Sequence, residues 1–228
     1  MTQTQHLTVE RLRERLASAK SPGSLAARAR ARRWQMFAAN FPEVGDMRVL
    51  DLGGTSFTWL NAPVRPREVM IVNLKPQPSD VDWISTLIGD ACALPTQVTD
   101  QRFDLVYSNS VIEHVGGHAR REAFATAVRN GADRYWVQTP YRYFAIEPHW
   151  LFPGFQFLPV TVRAELTRRW KLGNRRAPRR PLDAAVETVL GVELLSKTEM
   201  RHYFPDATAV LTETFLGLVK ALIAVKTS

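Results

Sequence analysis

The chain has 228 residues, 45% hydrophobic and 23% charged, with a formal net charge of +8; this suits one compact domain built around a covered sheet and is ordinary for a globular enzyme. No apolar run approaches the ~20 residues that cross a bilayer, and the N-terminal stretch 1–16 lacks the apolar core of a secretory signal. Cys92 is the single cysteine, which excludes an internal disulfide and suits a reducing cytoplasm, so a cytoplasmic protein, at most peripheral to a membrane, is expected.

The first forty residues predict two helices. Val9, Leu12 and Leu16 fall on one helical face; Ser21-Pro22-Gly23 breaks the pattern. Ser24 can cap a second helix from Leu25 to about Ala39, which ends before Phe41-Pro42. This segment carries eight Lys/Arg against Glu10 and Glu14 and forms a helical cap added to the core.

Alternation begins at Met47. Short apolar runs at 47–50, 69–74, 85–89, 103–107 and 135–137 predict parallel strands joined by crossovers. The clearest crossover is a helix over 117–129, with Phe124 and Val128 on one face. Runs at 208–215 and 218–225, parted at Gly217, predict an antiparallel hairpin that closes the sheet edge. The fold class is therefore α/β: a Rossmann-like seven-stranded sheet with an antiparallel C-terminal hairpin and the N-terminal helical cap, read as a single domain over 1–228.

Residues 140–183 interrupt the alternation. Prolines, closely spaced aromatics and then RRWKLGNRRAPRR predict an insertion on the acceptor side with no regular element for most of its length. Its first half is ordered by aromatics. Its second half, 168–180, is expected to be mobile, and 163–180 holds eight Lys/Arg against Glu165.

The strongest motif is VLDLGGTSFTWL at 49–60. Asp51 ends a strand, Gly53-Gly54 let the backbone approach a ligand where a β-carbon would clash, and a helix N-terminus follows. There is neither a full dinucleotide fingerprint nor a Walker lysine. VMIVNLKP (69–76), GDACALP (89–95) and FDLVYSNSVIEHV (103–115) likewise end strands on polar residues. Open α/β sheets bind ligands at these carboxyl ends.

This series resembles the class I S-adenosylmethionine-dependent methyltransferases, and FDLVYSNSVIEHV looks like their type 11 branch. The resemblance implies S-adenosylmethionine as cofactor and S-adenosylhomocysteine as product. It implies that Asp51, Gly53, Gly54 and Thr55 line the methionine end, that Asn73 and Leu74 meet the ribose, that Asp90 and Ala91 meet the adenine, and that Asn109 lies near the sulfonium. The cap's Arg32, or Arg33 beside it, would bind the cofactor carboxylate. Two positions depart from the family pattern: the third glycine is replaced around 55–57, and the acid ending the second strand is Asn73.

For the acceptor, Ser108-Asn109-Ser110-Val111 lacks the Asn/Asp-Pro-Pro-aromatic run of base amino-methyltransferases, which argues against methylation of an exocyclic base amine and leaves other RNA chemistry open, with nucleic acid the less expected partner. QTPYRYFAIEPHWLFPGFQF (138–157) follows the fifth strand and supplies Tyr141, Tyr143 and Trp150 as substrate faces, with His149 as general base assisted by Glu147. Glu113-His114 is a second candidate. His114 is an alternative catalytic residue, and with Glu113 and either His118 or His149 it could hold a divalent metal such as Mg, although Ser110 replaces the first Glu of the family's Glu-x-x-Glu-His pattern. The expected activity is O-methylation of a hydroxyl on a small-molecule or oligosaccharide acceptor, with a remote likeness to bacterial, often actinobacterial, sugar O-methyltransferases. A lipid, quinone or polyketide acceptor met at an anionic membrane is the second reading. An RNA-binding methyltransferase or silent cofactor-binding module is the third, separable because phosphate binding weakens steeply with salt.

Overall fold

The computed structural model describes residues 25–170, 172 and 181–228. The helix expected over Val9–Leu16, the Ser24 cap and most of 168–180 lie outside the described residues. The chain forms two compact units, one of Met36–Tyr143 with Gly191–Ser228, the other of Phe144–Leu190 with residues from the start of the chain.

In chain order, α1 (Leu25–Asn40) is followed by β1 (Arg48–Leu52), α2 (Ser56–Leu60), β2 (Glu68–Asn73), β3 (Ile84–Ile88), α3 (Thr96–Thr99), β4 (Leu105–Asn109), α4 (His118–Gly131) and β5 (Tyr135–Pro140). Then come β6 (Ile146–Glu147), β7 (Phe152–Pro153), α5 (Val160–Arg169), α6 (Leu182–Leu190), α7 (Lys197–Tyr203), β8 (Ala209–Phe215) and β9 (Leu218–Lys226).

The larger unit holds the expected seven-stranded sheet in the order β3-β2-β1-β4-β5-β9-β8. β1 through β5 pair in parallel, and β9 runs antiparallel to both β5 and β8. Central strands are buried along nearly their whole length, as in β1 (RVLDL) and β4 (LVYSN), because helices cover both faces of a parallel sheet. α4 packs through Phe124, Ala125 and Val128, all fully buried. The hairpin turn is Leu216-Gly217, with φ of 49° and 79°, the paired left-handed conformation whose twist suits a two-residue connection.

A second apolar cluster fixes the last turn of α1. Phe37 meets Trp59, Tyr107 and Trp136 edge-on with centroids 6.5, 5.4 and 5.5 Å away, an arrangement that matches positive ring edges to negative faces. Trp59 is thereby locked beneath the β1–α2 turn, which matters for the site.

The smaller unit corrects the expectation for 140–183. β6 and β7 form a two-stranded sheet, and 160–169 is a regular helix that packs against α6. Charge hid this helix: Glu165 pairs with Arg168 and Arg169 at i+3 and i+4, so the basic run is partly neutralised on a helical face.

Candidate active site

The site is built on the crest where β1 and β4 lie side by side and their crossovers leave in opposite directions, the point at which open α/β sheets form a ligand crevice. Gly53 follows β1 with φ +82° and donates its N–H to Val72 O over 2.8 Å. A β-carbon there would lie 2.5 Å from Val111 Cγ2, and one on Gly54 would lie 1.7 Å from Asp51 Oδ2. Both glycines are therefore required by space, and Gly53 also by its backbone angle.

Asp51 is completely buried under this loop. The Trp59 indole donates to its Oδ2 over 2.7 Å, while Oδ1 has no hydrogen-bond partner among the described residues. Burial raises the carboxyl from 3.8 to about 7, held back partly by the bonds from Trp59 and the Gly54 amide. A poorly solvated carboxyl favours its neutral form until a positive group approaches.

Asn73 explains one departure from the family pattern. Its Nδ2 donates to Gly53 O at 3.1 Å and to Gly54 O at 2.7 Å, and its Oδ1 accepts from Lys75 N at 3.0 Å. A carboxylate cannot donate to two carbonyls. The amide thus fastens the glycine loop, and only the remaining lone pair of Oδ1 is left for a ligand.

Beside these residues lies a cavity of about 240 Å³, lined by Gly53, Asn73, Leu74, Asp90, Val111 and Arg120, among others. Asp90 is fixed at its far end. Its Oδ1 accepts from Cys92 N at 2.9 Å, and Arg120 Nη2 bonds both oxygens at 2.9 and 2.8 Å. The Cys92 amide first, and then Arg120, hold the Asp90 carboxyl below the usual range against its partial burial. Ser110 sits in the wall with φ 57°; its N–H and Oγ both bond Gln138, at 2.9 and 3.0 Å. That pairing holds a left-handed conformation that costs a non-glycine residue energy.

The methyltransferase-domain family profile matches residues 48–130, the span that carries β1 through α4 and every cavity-lining residue named above. These residues form a methyltransferase domain. Among solved structures, an S-adenosylmethionine-dependent methyltransferase from Mesorhizobium loti is 17% identical with a TM-score of 0.52, over 84% of this chain and 95% of that one. The N-methyltransferase NodS from Bradyrhizobium japonicum WM9 is 12% identical with a TM-score of 0.51, over 86% and 94%. The magnesium protoporphyrin IX methyltransferase of Synechocystis PCC 6803, solved with S-adenosylmethionine, is 11% identical with a TM-score of 0.51, over 96% and 92%. At these identities the likeness is one of fold. No curated protein matches the sequence significantly.

Of the residues expected to serve the methyltransferase's cofactor, Gly53, Asn73, Leu74, Asp90 and Ala91 line the cavity. Asp51, Gly54, Thr55 and Asn109 do not. Asp51 and Gly54 support the loop from below, and Thr55 caps α2 by accepting from Thr58 N at 3.3 Å. Asn109 ends β4, and Ser110 and Val111 take the wall instead. Arg32 is exposed on α1. Sequence reasoning assigned no role to Val111, Trp59 or Arg120, although Trp59 lies inside the first motif and Val111 inside FDLVYSNSVIEHV.

The remaining candidates divide. His114 lines the cavity, with Nδ1 3.1 Å from Gly191 O. Glu113 is buried and accepts from Thr139 Oγ1 at 2.9 Å. His118 does not complete a set with them: it points its Nδ1 at the Tyr203 hydroxyl, 3.0 Å away, and its ring lies beside His202. Tyr141 and Tyr143 form an edge-on pair at 5.5 Å, with Tyr143 exposed.

In the smaller unit, Glu147 and His149 are hydrogen-bonded, Nδ1 to Oε1 at 2.7 Å. Trp150 corrects an expectation. It is 2% exposed and stacks on Phe155 with centroids 4.6 Å apart, so burial of its large apolar ring makes it a packing residue and not a substrate face.

Proposed function

We propose that this methyltransferase transfers the methyl group to a hydroxyl oxygen, most simply that of a sugar or oligosaccharide, with His149 as general base. The observation that carries the proposal is the Glu147–His149 pair. Glu147 is buried and its carboxylate accepts three donors: His149 Nδ1 at 2.7 Å, His149 N at 2.7 Å and Trp150 N at 2.8 Å. A carboxylate facing Nδ1 keeps the proton there, makes Nε2 the basic nitrogen, and stabilises the imidazolium that forms when a hydroxyl proton is taken. An amine acceptor can shed its proton after transfer, whereas a hydroxyl gains from losing it during attack.

In the cofactor cavity, the Gly53 backbone would take the methionine end, with the Asp51 carboxyl beneath the glycine loop as a counter-charge for the amino group. Asn73 Oδ1 accepts from a ribose hydroxyl, and Asp90 accepts from the adenine amine. Among the described residues no helix is long and apolar enough to cross a membrane. The test is a screen of glycan and metabolite extracts with methyl-labelled S-adenosylmethionine. Alkali-stable label on a glycan hydroxyl, lost with His149→Ala, supports the proposal; label on nitrogen would overturn it.

A further inference from the structure

We infer that Arg120 is a positioning residue that fixes Asp90 and so makes the cofactor cavity selective for a purine bearing an amino group at its six-position. The inference rests on the placement of adenine at Asp90 proposed above. An ionised carboxylate offers about four lone-pair positions. On Asp90, Oδ1 takes Cys92 N and Arg120 Nη2, and Oδ2 takes Arg120 Nη2. With the Cys92 thiol donating to Arg120 O, acceptor capacity is left on Oδ2 for a donor in the cavity that both residues line.

Arg120 is itself held at three points. Its Nε donates to Val115 O at 2.7 Å, its backbone O accepts from Cys92 Sγ at 3.3 Å, and its N–H reaches Gly117 O at 3.1 Å. Gly116, with φ +104°, turns the chain there, and a β-carbon on it would stand 3.5 Å from Arg120 Cδ. The guanidinium thus bridges the turn before α4 and the loop after β3, and it fixes the plane of the carboxylate between them. Half of the Arg120 side chain is exposed. An ion pair this exposed contributes little to stability, so its rigid geometry matters through Asp90 and hence through the ligand.

A fixed acceptor discriminates strongly. It welcomes a six-amino group and opposes the lone pairs of a six-oxo group, and sites that hydrogen-bond one substrate group reject its analogue far better than apolar pockets do. A carboxylate free to rotate can move away from the wrong group and loses part of that rejection. Leu74, 72% exposed on the cavity wall, and Val111 offer apolar faces for the ring, which either purine would use equally.

The experiment is calorimetric titration of S-adenosylhomocysteine and its deaminated analogue S-inosylhomocysteine into wild type, Arg120→Ala, Arg120→Lys and Asp90→Asn. Wild type should prefer the adenosyl ligand by ~100-fold or more. Arg120→Ala should weaken the adenosyl ligand ~10-fold, and the inosyl ligand much less, so the preference narrows. Arg120→Lys should restore part of the preference, since a point charge replaces a planar fork. Asp90→Asn, which can turn a donor to the six-oxo group, should abolish or invert it. If Asp90→Asn shifts the preference while Arg120→Ala leaves it at the wild-type ratio, the role of Arg120 is overturned and the adenine placement stands. If neither changes it, the placement falls as well. An equal loss of both ligands in Arg120→Ala makes the residue merely structural and overturns the inference.

Discussion

Trp59 donates its indole N–H to Asp51 Oδ2 over 2.7 Å, and among the described residues it is the one side chain bonded to this fully buried carboxyl. The two residues are eight apart in sequence. Phe37 and Tyr107 hold the indole in place, so the aromatic cluster at the end of α1 fixes the donor that partly offsets the burial of this carboxyl.

A pH dependence follows from that carboxyl. Its value of about 7 lies above the ordinary 3.8, so the folded protein holds a proton that the unfolded chain releases. The stabilisation is full below about pH 4 and is lost as pH rises through about 7, an effect on the order of a few kcal/mol. Compared with Asp51→Asn, the cofactor-free wild type should lose melting temperature across pH 4–8. S-adenosylhomocysteine affinity should rise over the upper part of that window, because its amino group favours the charged carboxyl. Parallel melting curves for the two proteins would refute this.

Gly53→Ala should weaken cofactor binding and cost about 1–3 kcal/mol of stability, because its β-carbon meets Val111 Cγ2 at 2.5 Å. Val111→Ala opens that space. The double variant should recover part of the loss but not all, since φ +82° still penalises a side chain. Denaturant titration of the four proteins checks it, and strict additivity would mean that the clash is not the cause.

Asn73→Asp restores the acid usual in the family yet should do harm. It removes both bonds to Gly53 O and Gly54 O and sets a carboxylate against two carbonyls. A loss of ~10-fold in cofactor affinity is expected, from about 1–3 kcal/mol for stranded acceptors. Equal or tighter binding by calorimetry would show that the loop needs no amide.

The strand ends of this site were legible in sequence because each apolar run stops on a polar residue, as at Asp51, Asn73 and Asp90, and a parallel sheet brings such ends together whatever the loops do. Val111 and Arg120 were illegible for the converse reason. Val111, though inside FDLVYSNSVIEHV, packs where a Gly53 side chain would stand, and Arg120 bridges to a carboxylate thirty residues earlier; neither role follows from local spacing. Helix α5 was hidden by charge, because Arg168 and Arg169 read as a basic loop until Glu165 is seen to pair with both. Trp150 failed in the opposite way: an aromatic in a polar cluster suggests a binding face, but nothing in sequence shows the ring of Phe155 waiting for it.

The general base gives the sharpest test. With the acceptor identified, His149→Ala should lower turnover ~10²-fold, the usual contribution of a positioned base, and leave S-adenosylhomocysteine affinity unchanged. Glu147→Gln keeps an acceptor oxygen for Nδ1 but can no longer serve His149 Nδ1, His149 N and Trp150 N with full charge. Its turnover should fall ~10-fold, with some loss of stability as the β6–β7 turn loosens. His114→Ala should behave differently: His114 lines the cofactor cavity and meets Gly191 O, so its loss should raise the dissociation constant for cofactor alongside any effect on rate. Steady-state turnover at saturating S-adenosylmethionine separates the two histidines, because saturation hides a binding defect and leaves a proton-transfer defect exposed. Near-normal turnover in His149→Ala, together with a rate lost in His114→Ala despite intact cofactor binding, would move the base to His114.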